Sequence, residues 1–223
     1  MKNKTMSLFA LTLLVMAFAV AGVNAAALST WALTANASAS DVNSHLAVGD
    51  LTAVGVTGFV SSPSIIFASG WNSATFDSGK YYQVSLTAPT GFNFALTSTS
   101  FTHKITTGTT STANVVLQWS KDSAFASPTN LSISNAISSE VAPLTSSITT
   151  NLPNIVAGET LYLRIFAYDA DNVADTFNVT NLKVEGKAIP SEIVECSVNG
   201  DNGNLAIDTD EVSVEEGFGE DAE

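Results

Sequence analysis

The sequence predicts an all-β protein, folded as a sandwich or a barrel. The strongest signal lies between residues 160 and 184, where aliphatic side chains alternate with aromatic or charged ones: Leu161, Leu163, Ile165 and Ala167 against Tyr162, Arg164, Phe166 and Tyr168. An alternation of period two is typical of a strand with one face on a core. Similar short alternations recur between turns rich in Gly, Pro and Asn, and no helical period occurs beyond the leader.

Residues 1–25 are predicted to be a helical signal peptide. Lys2 and Lys4 precede an apolar run over residues 6–20, and a small-residue stretch provides a peptidase site after Ala25. We therefore expect an exported protein, secreted or displayed at the cell surface. The alternative is an uncleaved anchor, which needs about 18 or more unbroken apolar residues. Polar residues interrupt this run, so we expect no stable membrane span once the leader is removed.

The predicted sandwich domain covers residues 26–188. Its strand segments are the stretches in which apolar residues recur at every second position or form a short apolar run: 28–33, 64–69, 80–88, 92–96, 101–105, 114–120 and 160–184. Residues 45–59 are predicted to form one or two short, bulged strands, because Gly within a strand pattern marks a bulge or a close backbone approach. The signal is weakest over residues 124–158, and residues 187–190 are predicted to be a linker that ends the domain.

The negative charge of the chain is concentrated at its C-terminal end. The net charge is −13, and eleven of the 21 acidic residues lie in residues 191–223, which contain no Lys or Arg. Residues 189–223 are predicted to be an acidic linker that is either disordered or the start of a second β-domain. The 8 basic residues are scattered, which excludes a binding surface for nucleic acid. A single cysteine, Cys196, excludes an internal disulfide.

Several of these segments together resemble a known class of domain. The segments are 81–86, 91–94 with 100–101, 117–122, 161–168 and 177–186, and they are similar to the strands of antiparallel jelly-roll sandwiches in secreted and cell-surface prokaryotic proteins. The acidic tail, from Cys196 to Asp221, resembles the start of a second β-domain in secreted archaeal surface proteins. The resemblance implies surface display and, in some members, glycan binding. It implies no catalytic residues.

Exposed aromatic side chains are the candidate ligand-binding residues. The large aromatics considered for a sugar-stacking platform are Trp31, Trp71, Trp119, Tyr81, Tyr162 and Tyr168. Trp119 shares its strand face with aliphatic residues and is expected in the core. Tyr162 and Tyr168 lie opposite the aliphatic face of their strand, so we predict that this pair is exposed and contacts the ligand.

The loop that follows Tyr168 is a candidate calcium site. Asp169, Asp171 and Asp175 are spaced two and four residues apart, and Asn172 lies between them. Carboxylate and amide oxygens on one loop are ligands that suit Ca²⁺, with a backbone carbonyl completing the shell. Asp and Asn are also ordinary residues of hairpin turns, so a solvated turn is the alternative. No cofactor other than calcium is indicated.

Nothing in the sequence indicates catalysis. The nucleophile-elbow, zinc-protease and phosphate-loop motifs are absent, and the scattered acids single out no carboxylate pair for a glycosidase. His103 is expected to be a half-buried strand residue. Three N-x-S/T sequons, at Asn36, Asn130 and Asn178, are acceptors for glycosylation in an exported chain and are expected in surface loops.

The sequence thus predicts a non-catalytic, secreted or cell-surface β-sandwich module with a structural or adhesive role. Its partners would be glycans or other surface proteins. The first alternative is a carbohydrate-binding module, with or without the help of calcium. The second is a secreted hydrolase, for which an opposed pair of carboxylates would be required.

Overall fold

The computed structural model describes residues 25–33, 36–62, 65–106, 112–131, 137–138 and 143–191. The predicted signal peptide, apart from its last residue, and the acidic tail beyond Ser191 lie outside this part of the chain, as does Cys196. No helix occurs among the described residues, and so none of them forms a helix able to cross a bilayer.

The described residues form two antiparallel sheets that pack face to face. The strands are β1 (Ala26–Trp31), β2 (Asp41–Val42), β3 (Ala47–Val48), β4 (Thr52–Val54), β5 (Thr57–Ser62), β6 (Ile65–Ser69), β7 (Tyr81–Thr87), β8 (Phe92–Thr106), β9 (Thr112–Ser120), β10 (Thr129–Leu131), β11 (Ile137–Ser138), β12 (Leu144–Ile148), β13 (Asn154–Ile155), β14 (Thr160–Tyr168) and β15 (Thr176–Pro190). The first sheet has the order β12-β8-β15-β1-β2, with β6, β5 and β13 at its margins. The second has the order β10-β9-β14-β7-β3, with β4 on β7 and β11 on β9. The predicted all-β antiparallel jelly-roll sandwich is confirmed.

The pair of β8 and β15 is the spine of the first sheet. The sequence predicts two separate strands over 92–96 and 101–105, but the structure contains one strand of 15 residues. The polar residues between the two segments do not break it, because they pair with β15: Ser98 lies opposite Glu185 and Ser100 opposite Lys183. A bulge precedes Gly186, where an added Cβ would collide with the carbonyl of Ala95, so only glycine fits this close approach.

The predicted linker at residues 187–190 is wrong. These residues continue β15 and pair with β8 as far as Pro190, which lies opposite Phe92. Proline lacks the N–H needed to continue a ladder, which is consistent with its place as the last residue of the strand. The chain leaves the sheet at Ser191, whose N–H donates to the carbonyl of Gly91.

The core between the sheets contains large aromatic side chains at its centre. Trp71 packs edge-on against Tyr82 and Phe177, with ring centroids 5.1 and 5.5 Å apart, and all three are fully buried. The Tyr82 hydroxyl donates to the carbonyl of Phe177 at 2.8 Å, which joins β7 of one sheet to β15 of the other. Burial raises the pKa of Tyr82 well above its usual value, so the phenol stays neutral.

Candidate functional site

The outward face of the second sheet carries the side chains that alternate with the core residues. Strand β14 is central there, with Arg164 opposite Gln83 of β7 on one side and opposite Gln118 of β9 on the other. Gln118 in turn lies opposite Asn130 of β10. Because opposed residues of paired strands project from the same face, these four side chains form a polar row across four strands.

Hydrogen bonds order this polar row. Arg164 Nε donates to Gln83 Oε1 at 2.7 Å, and Gln118 Nε2 donates to Asn130 Oδ1 at 2.6 Å. Arg164 Nη2 also donates to the carbonyl of Ser123 at 3.1 Å, which ties the loop after β9 to the sheet. Partial burial lowers the pKa of Arg164, but a guanidinium remains charged at neutral pH. The row therefore places amides around one fixed cation, and Gln118 is the buried member of the row.

Arg164 is also stacked between two aromatic rings. Its Cζ lies 3.9 Å from the ring centroid of Tyr81 and 3.6 Å from that of Phe125. A guanidinium over an aromatic face is attracted by the ring quadrupole and loses much of its side-chain freedom. The stack is therefore a rigid platform rather than a set of mobile side chains.

Further ring contacts extend this stack along β14. The aromatic row, as we call it, consists of Phe76, Tyr81, Phe125, Tyr162, Arg164, Phe166 and Tyr168. Phe125 lies 6.5 Å from Tyr162 at one end, and Phe76 lies 6.0 Å from Tyr168 at the other. Phe166 joins the halves, at 5.7 Å from Tyr81 and 4.8 Å from Phe76, and is itself buried beneath its neighbours at 1% exposed. The two tyrosines predicted from the sequence are thus the ends of one continuous row, and both are partly exposed.

The loop that carries Phe125 is held by Asp122. Its carboxylate accepts hydrogen bonds from the N–H groups of Ala124 at 2.9 Å and Ala126 at 3.1 Å. These bonds lower the pKa of Asp122. They hold Phe125 at a φ of 55°, in the left-handed region that a bulky residue seldom adopts. Asp122 therefore positions the ring that covers Arg164.

Not all the candidate aromatics belong to this surface. Trp31 and Trp71 are fully buried and pack in the core. Trp119 is half-buried at the edge of the core, as its shared face with aliphatic residues predicts, and its Nε1 donates to the carbonyl of Asn151 at 2.9 Å. Sequence reasoning missed Phe76 and Phe125, because each lies in a loop without a strand pattern.

The three candidate calcium ligands accept hydrogen bonds from different parts of the loop region. Asp169 accepts from the Asn114 amide, and Asp171 accepts from the Thr112 N–H at 3.2 Å. Asp175 is buried and accepts from the N–H of Asn172 at 2.9 Å, as a turn residue does. Among the described residues, no group of three or more His, Cys, Asp or Glu side chains is placed to hold a metal ion. The calcium site stays a prediction.

The same loop is fastened to the rest of the sandwich through its backbone. The N–H of Asp169 donates to the carbonyl of Ser73 at 2.7 Å, and that of Ala170 donates to Trp71 at 3.2 Å. In return, the N–H of Gly70 donates to Val173 at 3.0 Å. The loop therefore has a structural role, since it covers the end of the core beside Trp71.

The histidines occupy contrasting environments. His103 is buried rather than half-buried, and the exposed His45 stacks on Phe92 with centroids 4.0 Å apart.

The asparagines of the three sequons differ in exposure. Asn36 and Asn130 are exposed, whereas Asn178 is 4% exposed and donates to Thr106 Oγ1. Asn178 is therefore inaccessible in the folded domain, and the expectation that its sequon lies in a surface loop is wrong.

Comparison with known proteins finds similar structures but no sequence relatives. No protein-family model matches the chain, and no curated protein matches it. The CBM22-1 xylan-binding domain of Xyn10C from Paenibacillus barcinonensis is 8% identical, with a TM-score of 0.42 over 73% of this chain and 95% of that one. The second N-terminal cellulose-binding domain of β-1,4-glucanase C from Cellulomonas fimi is 13% identical, with a TM-score of 0.38 over 63% of this chain and 88% of that one.

A third similar structure contains a bound oligosaccharide. It is the N-terminal CBM22-1–GH10 part of xylanase 10B from Clostridium thermocellum, complexed with xylohexaose. This structure is 12% identical to the chain, and the match covers 72% of this chain and 28% of that one, with a TM-score of 0.39. At such low identities and TM-scores, the likeness in all three cases is one of β-sandwich architecture.

Proposed function

We propose that this protein is a non-catalytic carbohydrate-binding module of a secreted or cell-surface protein, and that its aromatic row contacts the glycan. The observation that carries the proposal is the stack of Arg164 between Tyr81 and Phe125, beside the amide of Gln83. Aromatic rings with amide groups at their edge can contact both the C–H faces and the hydroxyls of a sugar ring.

The chemistry of the face suits a neutral polysaccharide. The C–H faces of a pyranose pack against aromatic rings, while its hydroxyls exchange hydrogen bonds with amides and guanidinium groups. Gln83 and Asn130 provide both donors and acceptors, and Arg164 provides donors only. Gln118 is only 7% exposed and supports Asn130 from below. Tyr162 and Tyr168 are six residues apart on one strand, so their Cα atoms are separated by about 20 Å. The two tyrosines are therefore far enough apart to contact different sugar rings of one polysaccharide chain.

The carboxylates do not favour a hydrolase. A glycosidase needs a general acid, whose pKa is raised so that it is protonated at the working pH. Among the described residues, three carboxyls have a shifted pKa, and each is shifted in the opposite direction by hydrogen bonds to its ionised form: Asp122, Glu159 and Glu185. These acids have structural roles, for example Glu159 in its ion pair with Lys121.

Calcium, if bound, would act at the Tyr168 end of the aromatic row. Asp169 follows Tyr168 directly, so an ion held by Asp169, Asp171 and Asp175 would restrict the motion of that tyrosine. We propose this as an auxiliary effect, because the loop is already fastened by backbone hydrogen bonds without the ion.

The test is a binding screen with purified protein against soluble fragments of neutral polysaccharides, with calcium and with chelator. Xylan and cellulose fragments belong in the screen because the similar structures are named for these polymers. We expect Tyr162→Ala and Tyr168→Ala each to weaken binding by about tenfold, as the loss of one stacked aromatic ring does. Phe59→Ala is the matched control, because Phe59 is 38% exposed and lies on β5 of the other sheet.

Two outcomes would contradict the proposal. One is the absence of binding to any glycan in the screen, which would leave the structural or adhesive role predicted from the sequence. The other is binding that survives both tyrosine substitutions, which would place the site away from the aromatic row. Equal affinities with calcium and with chelator would exclude only the auxiliary role of the ion.

A further inference from the structure

A concave site separate from the aromatic row lies between β10, at the edge of the second sheet, and the end of β12. It is a cavity of about 380 Å³ between Asn130 and Leu131 of β10 and the segment Ser147 to Asn151. Small-molecule sites in proteins span about 300–1,000 Å³, so this cavity is large enough for a small ligand.

The lining of the cavity restricts the class of ligand. Its polar members are hydroxyls and amides, from Asn130, Ser147, Thr149, Thr150 and Asn151. The described lining contains no Lys, Arg or His to attract an anion and no Asp, Glu or Cys to hold a metal ion. Its aliphatic part is limited to two residues, which is too little for an apolar ligand. The class of ligand that this lining suits is therefore a neutral molecule with several hydroxyl groups.

Both rims of the cavity are held by neighbouring residues of β9. Gln118 projects outward and donates to Oδ1 of Asn130 on one rim. Trp119 projects to the opposite face, and its Nε1 donates to the carbonyl of Asn151 on the other rim. Asn151 has a φ of 57°, a left-handed conformation that Asn adopts more readily than most residues. The wall between the rims is also fixed, because Ser147 and Ile148 pair with β8.

From this geometry we propose that the cavity is a second carbohydrate subsite, which takes a single neutral sugar residue or a disaccharide and is distinct from the aromatic row. Its hydroxyl and amide lining binds the sugar hydroxyls by hydrogen bonds, and the half-buried Ile148 contacts the C–H groups. Trp119 is a positioning residue, which acts through Asn151. The polar row ends at Asn130, so the two sites adjoin at that residue.

The experiment is an amide chemical-shift titration of the intact protein with xylobiose and with cellobiose, both neutral. We expect shifts at the amides of Asn130 and of residues 147–151, saturating at millimolar sugar, and no such shifts with the charged disaccharide digalacturonate. Thr150→Val replaces one hydroxyl by a methyl group of similar size, and we expect it to weaken binding in the cavity about fivefold, as the loss of one hydrogen bond does. Thr145→Val is the matched control, because Thr145 lies on β12 outside the cavity.

A second variant tests the positioning role of Trp119. Trp119→Phe keeps a ring at the edge of the core but removes the donor to Asn151. We expect weaker binding in the cavity together with faster amide exchange at residues 150–152, and an unchanged affinity of the aromatic row. Unchanged exchange at those residues would overturn the positioning role.

This titration tests the cavity and the aromatic row independently of each other. Shifts confined to the amides of Tyr81, Tyr162 and Tyr168 would overturn the cavity proposal and leave the proposed function in place. Shifts confined to Asn130 and residues 147–151 would support the cavity and contradict the role of the aromatic row. The absence of shifts at the cavity with both neutral disaccharides, or shifts there that Thr150→Val leaves unchanged, would overturn the proposal.

Discussion

Mild acid is expected to destabilise this domain through one side chain, His103. The residue is 3% exposed and packs among Phe101, Phe177 and the hydroxyl of Ser146, which lies 2.8 Å from its Nε2. Among the described residues, Nδ1 has no hydrogen-bond partner, and no carboxylate is paired with the ring. Burial therefore lowers the pKa of His103 from 6.5 to about 4.

The size and sign of the effect follow from the difference between the folded and unfolded pKa values. Folding lowers the pKa, so the neutral ring contributes its full stability above pH 6.5, the pKa of an unperturbed histidine. This contribution is lost as the pH falls from there towards the folded pKa of about 4. Between about pH 7.5 and about pH 5, the free energy of unfolding should fall by about 2 kcal/mol from this residue alone. Carboxyls with a lowered pKa, such as Asp122 and Glu159, lose their contribution only at still lower pH.

The assay is urea unfolding at a series of pH values for the wild type, His103→Gln and His45→Gln. A glutamine at 103 keeps a partner for Ser146 but does not titrate, so we expect the decrease between about pH 7.5 and about pH 5 to shrink by about 2 kcal/mol. The slope with pH is compared rather than the absolute stability, so a less stable variant still gives an answer. His45 is exposed, and its substitution should leave most of the slope in place. An unchanged slope in His103→Gln, or a folded-state pKa near 6.5 for His103 by NMR, would refute the reasoning.

Three further outcomes follow from the structure. Gly186→Ala should destabilise the domain by more than about 3 kcal/mol in urea unfolding, because the new Cβ would collide with the backbone of the neighbouring strand; a loss of under about 1 kcal/mol would contradict that packing. Tyr82→Phe should cost about 1–2 kcal/mol in the same assay, because the carbonyl of Phe177 loses its buried donor. Asp122→Ala should raise amide exchange at Ala124 and Ala126 and weaken glycan binding, with protection at those amides left unchanged as the contrary result.

Much of the sheet structure could be predicted from local pattern. Strands β7, β9 and β14 were predicted within one or two residues, because each alternates strictly and has one face on the core. Strand β8 was divided in two, since its central Ser and Thr residues have no apolar alternation and remain in the strand only through pairing with β15. The end of β15 was mistaken for a linker for the same reason.

The candidate site was predicted only in part. That Tyr162 and Tyr168 share a face followed from their even spacing on one strand. The stacking of Phe125 on Arg164 could not be predicted from the sequence, because Phe125 reaches Arg164 through a loop that Asp122 holds. For the aspartates after Tyr168, closeness in sequence did not predict a shared site. Their carboxylates accept hydrogen bonds from three different residues.

The sequence by itself determined the class of secondary structure, the face on which each side chain of a regular strand lies, and the absence of a recognisable catalytic motif. These are local properties, because the period of a strand is set by its own backbone. Only the tertiary structure decided which faces meet. The polar row joins Gln83, Arg164, Gln118 and Asn130, which are up to 81 positions apart, and they meet because the sheet order places β14 between β7 and β9. Strand order depends on pairing between distant segments, and no local pattern encodes that pairing.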